Sequence, residues 1–339
     1  MNIQTFIKIK IFFIVLFFSL SSRADHASPS FETGAAGAIM TSPGATLPEK
    51  EIVLGASFQL IELDDISDAG LEVAGAAEQD VHSVDSLLSV SVNIAYGVTD
   101  DLTLGVSFPY VERDNVREAH HDETTGMGEA EVAGDSSGIG DLNLFGQYRF
   151  YHSPDSDYSI IAGFKAPTGD TDERELEGGL FETEQQPGSG SWDPFFGLAF
   201  NRSFDQLGVS GNVLYTIINE GTQQTDLGDI FNYNVALSYR IFSPEGGHDH
   251  HSHQHGFNFI DYVDTALEFN GDHRERVDIN GETEENSGGH TLYISPGVRI
   301  GIAHQWSFYT SAGIPVINDQ NGIQSDPDFR VIGGFSFIF

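Results

Sequence analysis

The chain closes on Phe329 to Phe339, FRVIGGFSFIF. Side chains alternate across an extended strand with a period of two. Phe329, Val331, Gly333, Phe335, Phe337 and Phe339 therefore share one face, and Arg330, Ile332, Gly334, Ser336 and Ile338 share the other. The first face is uncharged and rich in aromatics; the second is mixed and carries a guanidinium. In a soluble sandwich, a strand with phenylalanine at alternate positions up to its last residue offers an aggregating edge. A strand whose outer face meets lipid carries no such liability.

Working back from this strand, the same alternation recurs in twelve segments: Glu51–Ile61, Ser86–Val98, Leu102–Val111, Ile139–Tyr151, Tyr158–Pro167, Trp192–Ser203, Gln206–Ile218, Ile230–Phe242, Phe257–Phe269, Thr291–Gly301, Gln305–Val316 and Phe329–Phe339. Each has about the length that a tilted strand needs to cross a hydrocarbon layer. The eighth alternates most cleanly, with Phe231, Tyr233, Val235, Leu237, Tyr239 and Ile241 opposite Asn232, Asn234, Ala236, Ser238 and Arg240. In the ninth, Asp261 shares a face with Phe259 and Val263, which calls for a bulge or an interfacial position. Connections after segments two, four, six and ten are short, and those after the odd-numbered segments are long and acidic. Short turns at one end and long loops at the other are the pattern of an outer-membrane barrel with both termini in the periplasm. The exception is the long turn after the eighth segment. Tyr96, Tyr110, Tyr148, Tyr158, Trp192, Tyr215, Tyr239 and Trp306 fall near strand ends, where interfacial aromatics belong. The expected fold is all-β, a transmembrane antiparallel up-and-down β-barrel of about 12 strands over residues 51–339.

Residues 1–24 read as a signal peptide, with Lys8 and Lys10 before the apolar run Ile11 to Leu20 and a small-x-Ala site ending at Ala24. The apolar run is short for a membrane span. Removing this segment takes away Lys8, Lys10 and Arg23, so the 15 basic residues become 12 against 51 acidic ones, a charge of −39. That charge excludes generic nucleic-acid binding. The chain has no cysteine, which excludes disulfides, iron–sulfur clusters and thiol catalysis. Residues 25–50, rich in Gly, Ala, Ser and Pro, show no period and read as an irregular arm, either in the periplasm or inside the barrel. The expected location is the outer membrane of a Gram-negative bacterium, with membrane lipid, lipopolysaccharide and the barrel assembly machinery as partners.

Three stretches carry a family resemblance: Gly138 to Asp141 leading into LNLFGQYRF, Phe164 to Asp170 (FKAPTGD), and Gly188 to Phe200 (GSGSWDPFFGLAF). They resemble the outer-membrane family named after the meta-pathway of phenol degradation. The closing Phe with alternating hydrophobics also resembles the C-terminal sorting signal of bacterial outer-membrane barrels. The family resemblance implies a barrel that transports small solutes, often aromatic or apolar, and its motifs are structural rather than catalytic.

The inward phase of the strands collects Arg149, Lys165, Arg240, Arg299 and Arg330, together with Asp141, Asp193, Asp264 and Glu268. Arg149, Arg240 and Arg299 each precede a periplasmic turn by a few residues, so they are expected at similar depth. Such a set either tunes ion selectivity at a constriction or pairs internally with the inward acids. The long loops are acidic, notably Asp170, Asp172, Glu173, Glu175 and Glu177. They either gather cations at the mouth or are solvated and screened by divalent ions beside lipopolysaccharide. The exceptional turn holds His248, His250, His251, His253 and His255 between glycines. Neutral imidazoles on a flexible turn can bind Zn, Cu or Ni, with protons displaced as pH rises through about 6.5. A solvated low-complexity turn that binds metal only at high concentration reads equally from the residues, and the solute is then a small molecule rather than a metal. Ser and His adjoin at His152-Ser153, in a short turn away from the outer leaflet, and no nucleophile motif occurs elsewhere. The chain therefore reads as a non-enzyme. A structural or adhesion barrel is the alternative to transport, and an outer-membrane lipid hydrolase a weaker one.

Overall fold

The computed structural model describes residues 37–244 and 259–339. The signal-peptide reading of residues 1–24 and the His-rich turn, His248 to His255, lie outside the described residues. Twelve strands form the wall: β1 Ile52–Asp64, β2 Ser86–Thr99, β3 Leu102–Asp122, β4 Leu142–Ser153, β5 Ser156–Ala166, β6 Asp193–Phe204, β7 Leu207–Thr216, β8 Ile230–Phe242, β9 Ile260–Arg274, β10 Gly289–Ile302, β11 Trp306–Gln320 and β12 Asp326–Ile338. Each pairs antiparallel with its neighbours in sequence. β12 returns to β1 in a register running from Val53 opposite Ile338 to Asp64 opposite Asp326, which closes the sheet and removes its edges. The last residue joins the seam too, Phe339 N donating to Ile52 O at 2.9 Å.

The alternation of the sequence becomes an outside and an inside. Leu104, Phe108, Tyr148, Leu198, Leu237 and Ile241 are exposed around the wall, while Ser91, Thr103, Gln147, Asn212, Asn270 and Ser295 are buried within it. This is the inverse of a soluble core and is the arrangement that a lipid solvent demands. Among the described residues no helix is long and apolar enough to cross a membrane. At the end with the short turns, Trp306 packs on Phe337 at 4.6 Å between ring centroids, and Phe337 on Phe339 at 4.5 Å. Each such pair contributes about 0.5–1.5 kcal/mol beyond area burial, so the aromatic terminus is fastened to β11 from outside.

Two features refine the reading of the strands. Ile260 pairs with Ile302 and Tyr262 with Gly301, so Asp261 is bulged out of the β9–β10 ladder. Its carboxylate accepts a hydrogen bond from His304 N at 2.6 Å and meets the His304 ring at 2.8 Å. Second, β3 does not stop at Val111. It runs past the rim to Asp122 and returns as a strand over Met127–Ile139, which leads through Gly140-Asp141 into β4. The tip turns because Asp122 accepts from Thr124 N at 2.8 Å and Thr125 Oγ1 at 2.6 Å, with Gly126 at φ +70. A register shift near Asn115, itself at φ 54, bends this hairpin.

The first long connection packs on the same hairpin through α1, Asp68–Ala76. Ser67 caps the helix by accepting from Gly70 N. Leu71, Ala74 and Val81 are buried against Ala119 and Ala130 of the hairpin. The contact is close enough that a Cβ on Gly128 would stand 1.9 Å from Glu72 O. The long connections are thus a packed superstructure over one end of the barrel.

Candidate functional site

The lumen is divided by the protein's own chain. Residues 37–50, left open by the sequence between periplasm and lumen, run inside the barrel across its short-turn end. Backbone amides there need partners once buried, and inward side chains of several strands supply them. On β9 the carboxylate of Glu268, fully buried, accepts from Ile39 N, from Met40 N and Thr41 N at 3.0 Å each, and from Thr41 Oγ1 at 2.9 Å. On β7 Asn212 accepts from Ser42 N at 2.9 Å, and on β4 Gln147 donates to Pro43 O at 2.8 Å and Ala45 O at 3.1 Å. On β3 Thr103 accepts from Leu47 N at 2.8 Å. Leu47 packs with Val53, Ala95 and Phe145. Gly44 touches the wall so closely that a Cβ would lie 2.4 Å from Asp157 O. The arm is therefore a floor, tied to walls on both sides.

The charges singled out in the sequence are buried or half-buried inside the barrel and engaged with protein groups. Arg240 and Asp264, register partners on β8 and β9, form a two-pronged pair at 2.8 and 2.9 Å. Asp264 also accepts from Gly37 N at 3.2 Å. Arg299, opposite Asp264 on β10, donates to Ala38 O and stands over the Tyr309 ring. Arg149 meets Asp101 at 2.9 Å and Asp157 at 3.4 Å on the far wall. Higher up, Arg330 donates to Asn270 at 2.9 Å and Ser295 at 3.2 Å, its guanidinium 4.0 Å from the Tyr293 ring centroid. Lys165 meets Asp193 at 2.6 Å and Asp141 at 3.6 Å. Those two acids also bind loop backbone, Asp141 accepting from Gly169 N and Ser189 N and Asp193 from Asn219 N. Arg149, Lys165 and Arg240 thus meet acids, Arg299 meets the arm backbone and Arg330 meets neutral side chains.

The roof was not legible from strand patterning. Arg113 keeps the inward phase of Thr103, Ser107 and Val111 beyond the expected end of β3, and it is buried. Its two terminal nitrogens donate to Gln185 O at 2.7 Å and Gln186 O at 3.0 Å, drawing the loop between β5 and β6 over the opening. Phe181 of that loop is buried with Val84, Val116 and Ala133. Where the first loop, the hairpin and this loop converge, His82 stands among Asp80, Glu118 and Glu182. Burial opposes protonation of His82, but Glu182, Asp80, Glu118 and Glu184 together hold its pKa above the usual imidazole value. Burial, reinforced by Asp80, Glu184 and Glu118 against the opposing effect of His82, pushes the Glu182 carboxyl up to about 7.

Between floor and roof lies a cavity of about 300 Å³. Met40 forms part of its base, Arg113 and Gln185 part of its top, and Arg330 and Tyr293 part of its side. Asn212, Asn234 and Asn270 are register partners on β7, β8 and β9, and they line the cavity as a row of amides at one height. A second space of about 100 Å³ adjoins Lys165 and Asp141.

The turn with His152-Ser153 contains an acid that the sequence reading did not connect to it. His152 Nδ1 is 2.6 Å from Asp157 Oδ1. Ser153 Oγ donates instead to Ser156 O, and Asp157 also takes Asn201, so the group fixes a turn. His304, a further imidazole at this end, is held by Asp261.

Comparison with curated protein sequences finds no match. Among solved structures the chain is similar to the COG4313 outer membrane channel from Pseudomonas putida F1, at 14% identity and a TM-score of 0.56 over 87% of this chain and 97% of that one. It is also similar to the Ralstonia pickettii toluene transporter TbuX, at 10% identity and a TM-score of 0.42 over 88% and 91% of the two chains. The first of these likenesses establishes the outer-membrane barrel fold independently of strand counting. The model of one sequence family matches residues 69–314, which covers the roof, the resemblance motifs and most of the wall, and the chain belongs to that family, described as "Putative MetA-pathway of phenol degradation".

Proposed function

We propose that the protein is an outer-membrane channel for small solutes, with the cavity between arm and loops as its resting station. The observation that carries this reading is the partly open space of about 300 Å³ inside a closed barrel. A cavity of ~150 Å³ holds a benzene molecule, so the space suits one single-ring solute with a few polar groups. The lining is amphipathic. Met40, Leu214 and Tyr293 offer apolar contact, and Asn234, Asn270 and Arg330 offer hydrogen bonds. Ring compounds with a hydroxyl or carboxylate satisfy both, in keeping with the aromatic solutes that the family name implies. Passage to the periplasm requires the arm to yield, because residues 37–50 cross the lumen below the cavity. The inward charges Arg149, Arg240, Arg299 and their acids serve this reading as fastenings of the floor.

Planar-bilayer recording tests it. The full chain should conduct weakly or intermittently, and a chain lacking residues 37–50 should show a larger, steadier conductance that phenol reduces. A truncated barrel that assembles yet never conducts would turn the assignment to a structural or adhesion barrel.

A further inference from the structure

The convergence of outer loops around His82 gathers three carboxylates about one imidazole. His82 Nδ1 lies 3.6 Å from Asp80 Oδ1, and Nε2 lies 3.6 Å from both Glu182 Oε2 and Glu118 Oε1. A nitrogen-to-oxygen hydrogen bond spans about 2.7–3.2 Å, so none of these contacts is one. Two donors about 2.1 Å from a shared tetrahedral ion stand about 3.4 Å apart, close to the 3.6 Å between Nε2 and Glu182 Oε2; an imidazole holds an ion through one nitrogen, so the Nδ1 distance to Asp80 is not part of that spacing. Donor atoms from Asp80, His82 and Glu182 all fall within 4.8 Å of one another. A second observation is independent of that spacing. Glu182 Oε2 and Glu118 Oε1 are shut off from solvent and accept no hydrogen bond. Buried carboxylate oxygens are costly without a donor or a cation to face.

We propose that Asp80, His82 and Glu182 bind one divalent transition-metal ion of the zinc class, with water completing its coordination. The imidazole favours such an ion over calcium or magnesium, which take oxygen donors. The donors come from two separate pieces of the roof, the first loop and the loop between β5 and β6, with Glu118 of the β3 hairpin beside them. Binding therefore fastens these pieces to each other above the cavity, which His82 itself lines. This site shares no residue with the His-rich turn, which lies outside the described residues, and it does not depend on the transport reading.

The test uses the full chain in detergent with His248, His250, His251, His253 and His255 replaced by Asn, so that the turn contributes no binding. After chelator dialysis, Zn²⁺ is titrated by calorimetry, and tryptic cleavage after the exposed Arg174 is followed in parallel. The expected result is one saturable site of micromolar or tighter Kd, with slower cleavage once Zn²⁺ is bound. His82→Ala should weaken binding a hundredfold or more, and Glu182→Gln tenfold or more. The absence of a saturable site up to millimolar Zn²⁺ overturns the proposal. So does binding that both variants leave unchanged, or binding that Ca²⁺ matches, since either shows general screening of acidic loops. If His82→Ala does not assemble, Glu182→Gln decides alone, because it keeps the size and a neutral oxygen.

Discussion

Glu268→Ala isolates what holds the floor in place. The carboxylate receives four donors from three consecutive arm residues: Ile39 N, Met40 N, Thr41 N and Thr41 Oγ1. A hydrogen bond to a charged group contributes about 1.5–3 kcal/mol net. The four act as one unit, and water entering the vacated space restores some of them. A buried donor left without its acceptor costs about 1–3 kcal/mol, so with water restoring part of the loss the four together cost about 3–5 kcal/mol. At ~1.4 kcal/mol per factor of ten in an equilibrium constant, the open state of the arm should gain roughly a hundredfold to a few thousandfold. The chain has no cysteine, so Ser42→Cys makes a single reporter at a buried position whose backbone amide bonds Asn212. In detergent, the rate of labelling by a thiol reagent tracks the open population. It should rise at least a hundredfold in Glu268→Ala and less in Glu268→Gln, which keeps an acceptor. An unchanged rate in an assembled, heat-modifiable barrel would show that the arm is held by its remaining contacts and refute the argument.

Epitope tags between Asp170 and Glu184 should be accessible on intact cells, and tags at Phe204-Asp205 inaccessible; equal accessibility would reject the orientation. Phe339→Asn should lower the yield of assembled barrel, since it removes the ring that meets Phe337 and the last apolar residue of the lipid face; normal yield would separate the terminal Phe from assembly. Arg240→Ala strips buried Asp264 of its two-pronged partner and should destabilise the barrel by about 3–5 kcal/mol, read as a lower denaturant midpoint. Adding Asp264→Asn should recover much of the loss, and a double variant no better than the single would mean that the pair is not the cause.

The wall was legible because lipid outside and polar groups inside impose a strict alternation on each strand, down to the bulge at Asp261. What the sequence hid was the part that faces neither lipid nor a plain lumen. Beyond Val111 the β3 hairpin stands in water with loops packed against it, so Glu112, Arg113 and Asp114 look like a loop although the chain is still extended. The arm shows no period because its conformation answers to partners such as Glu268, 227 to 229 residues away. The inward charges were identifiable by phase, but their pairings depend on register across neighbouring strands. The cluster at His82 joins residues a hundred positions apart through loops, where patterning says nothing about proximity.

The seam between β1 and β12 gives the arm a temporal meaning. Residues 37–50 are threaded through a ring that is complete only when the last strand reaches the first. A segment that precedes every wall strand in the chain thus lies inside a wall whose closing strand comes long after it. A sheet curling around the arm can form the Glu268, Asn212 and Gln147 contacts while still open, so the arm is available as a mandrel on which curvature and register are set before closure. The plug and the wall are in this sense one folding event, in which the barrel shuts on a piece of itself.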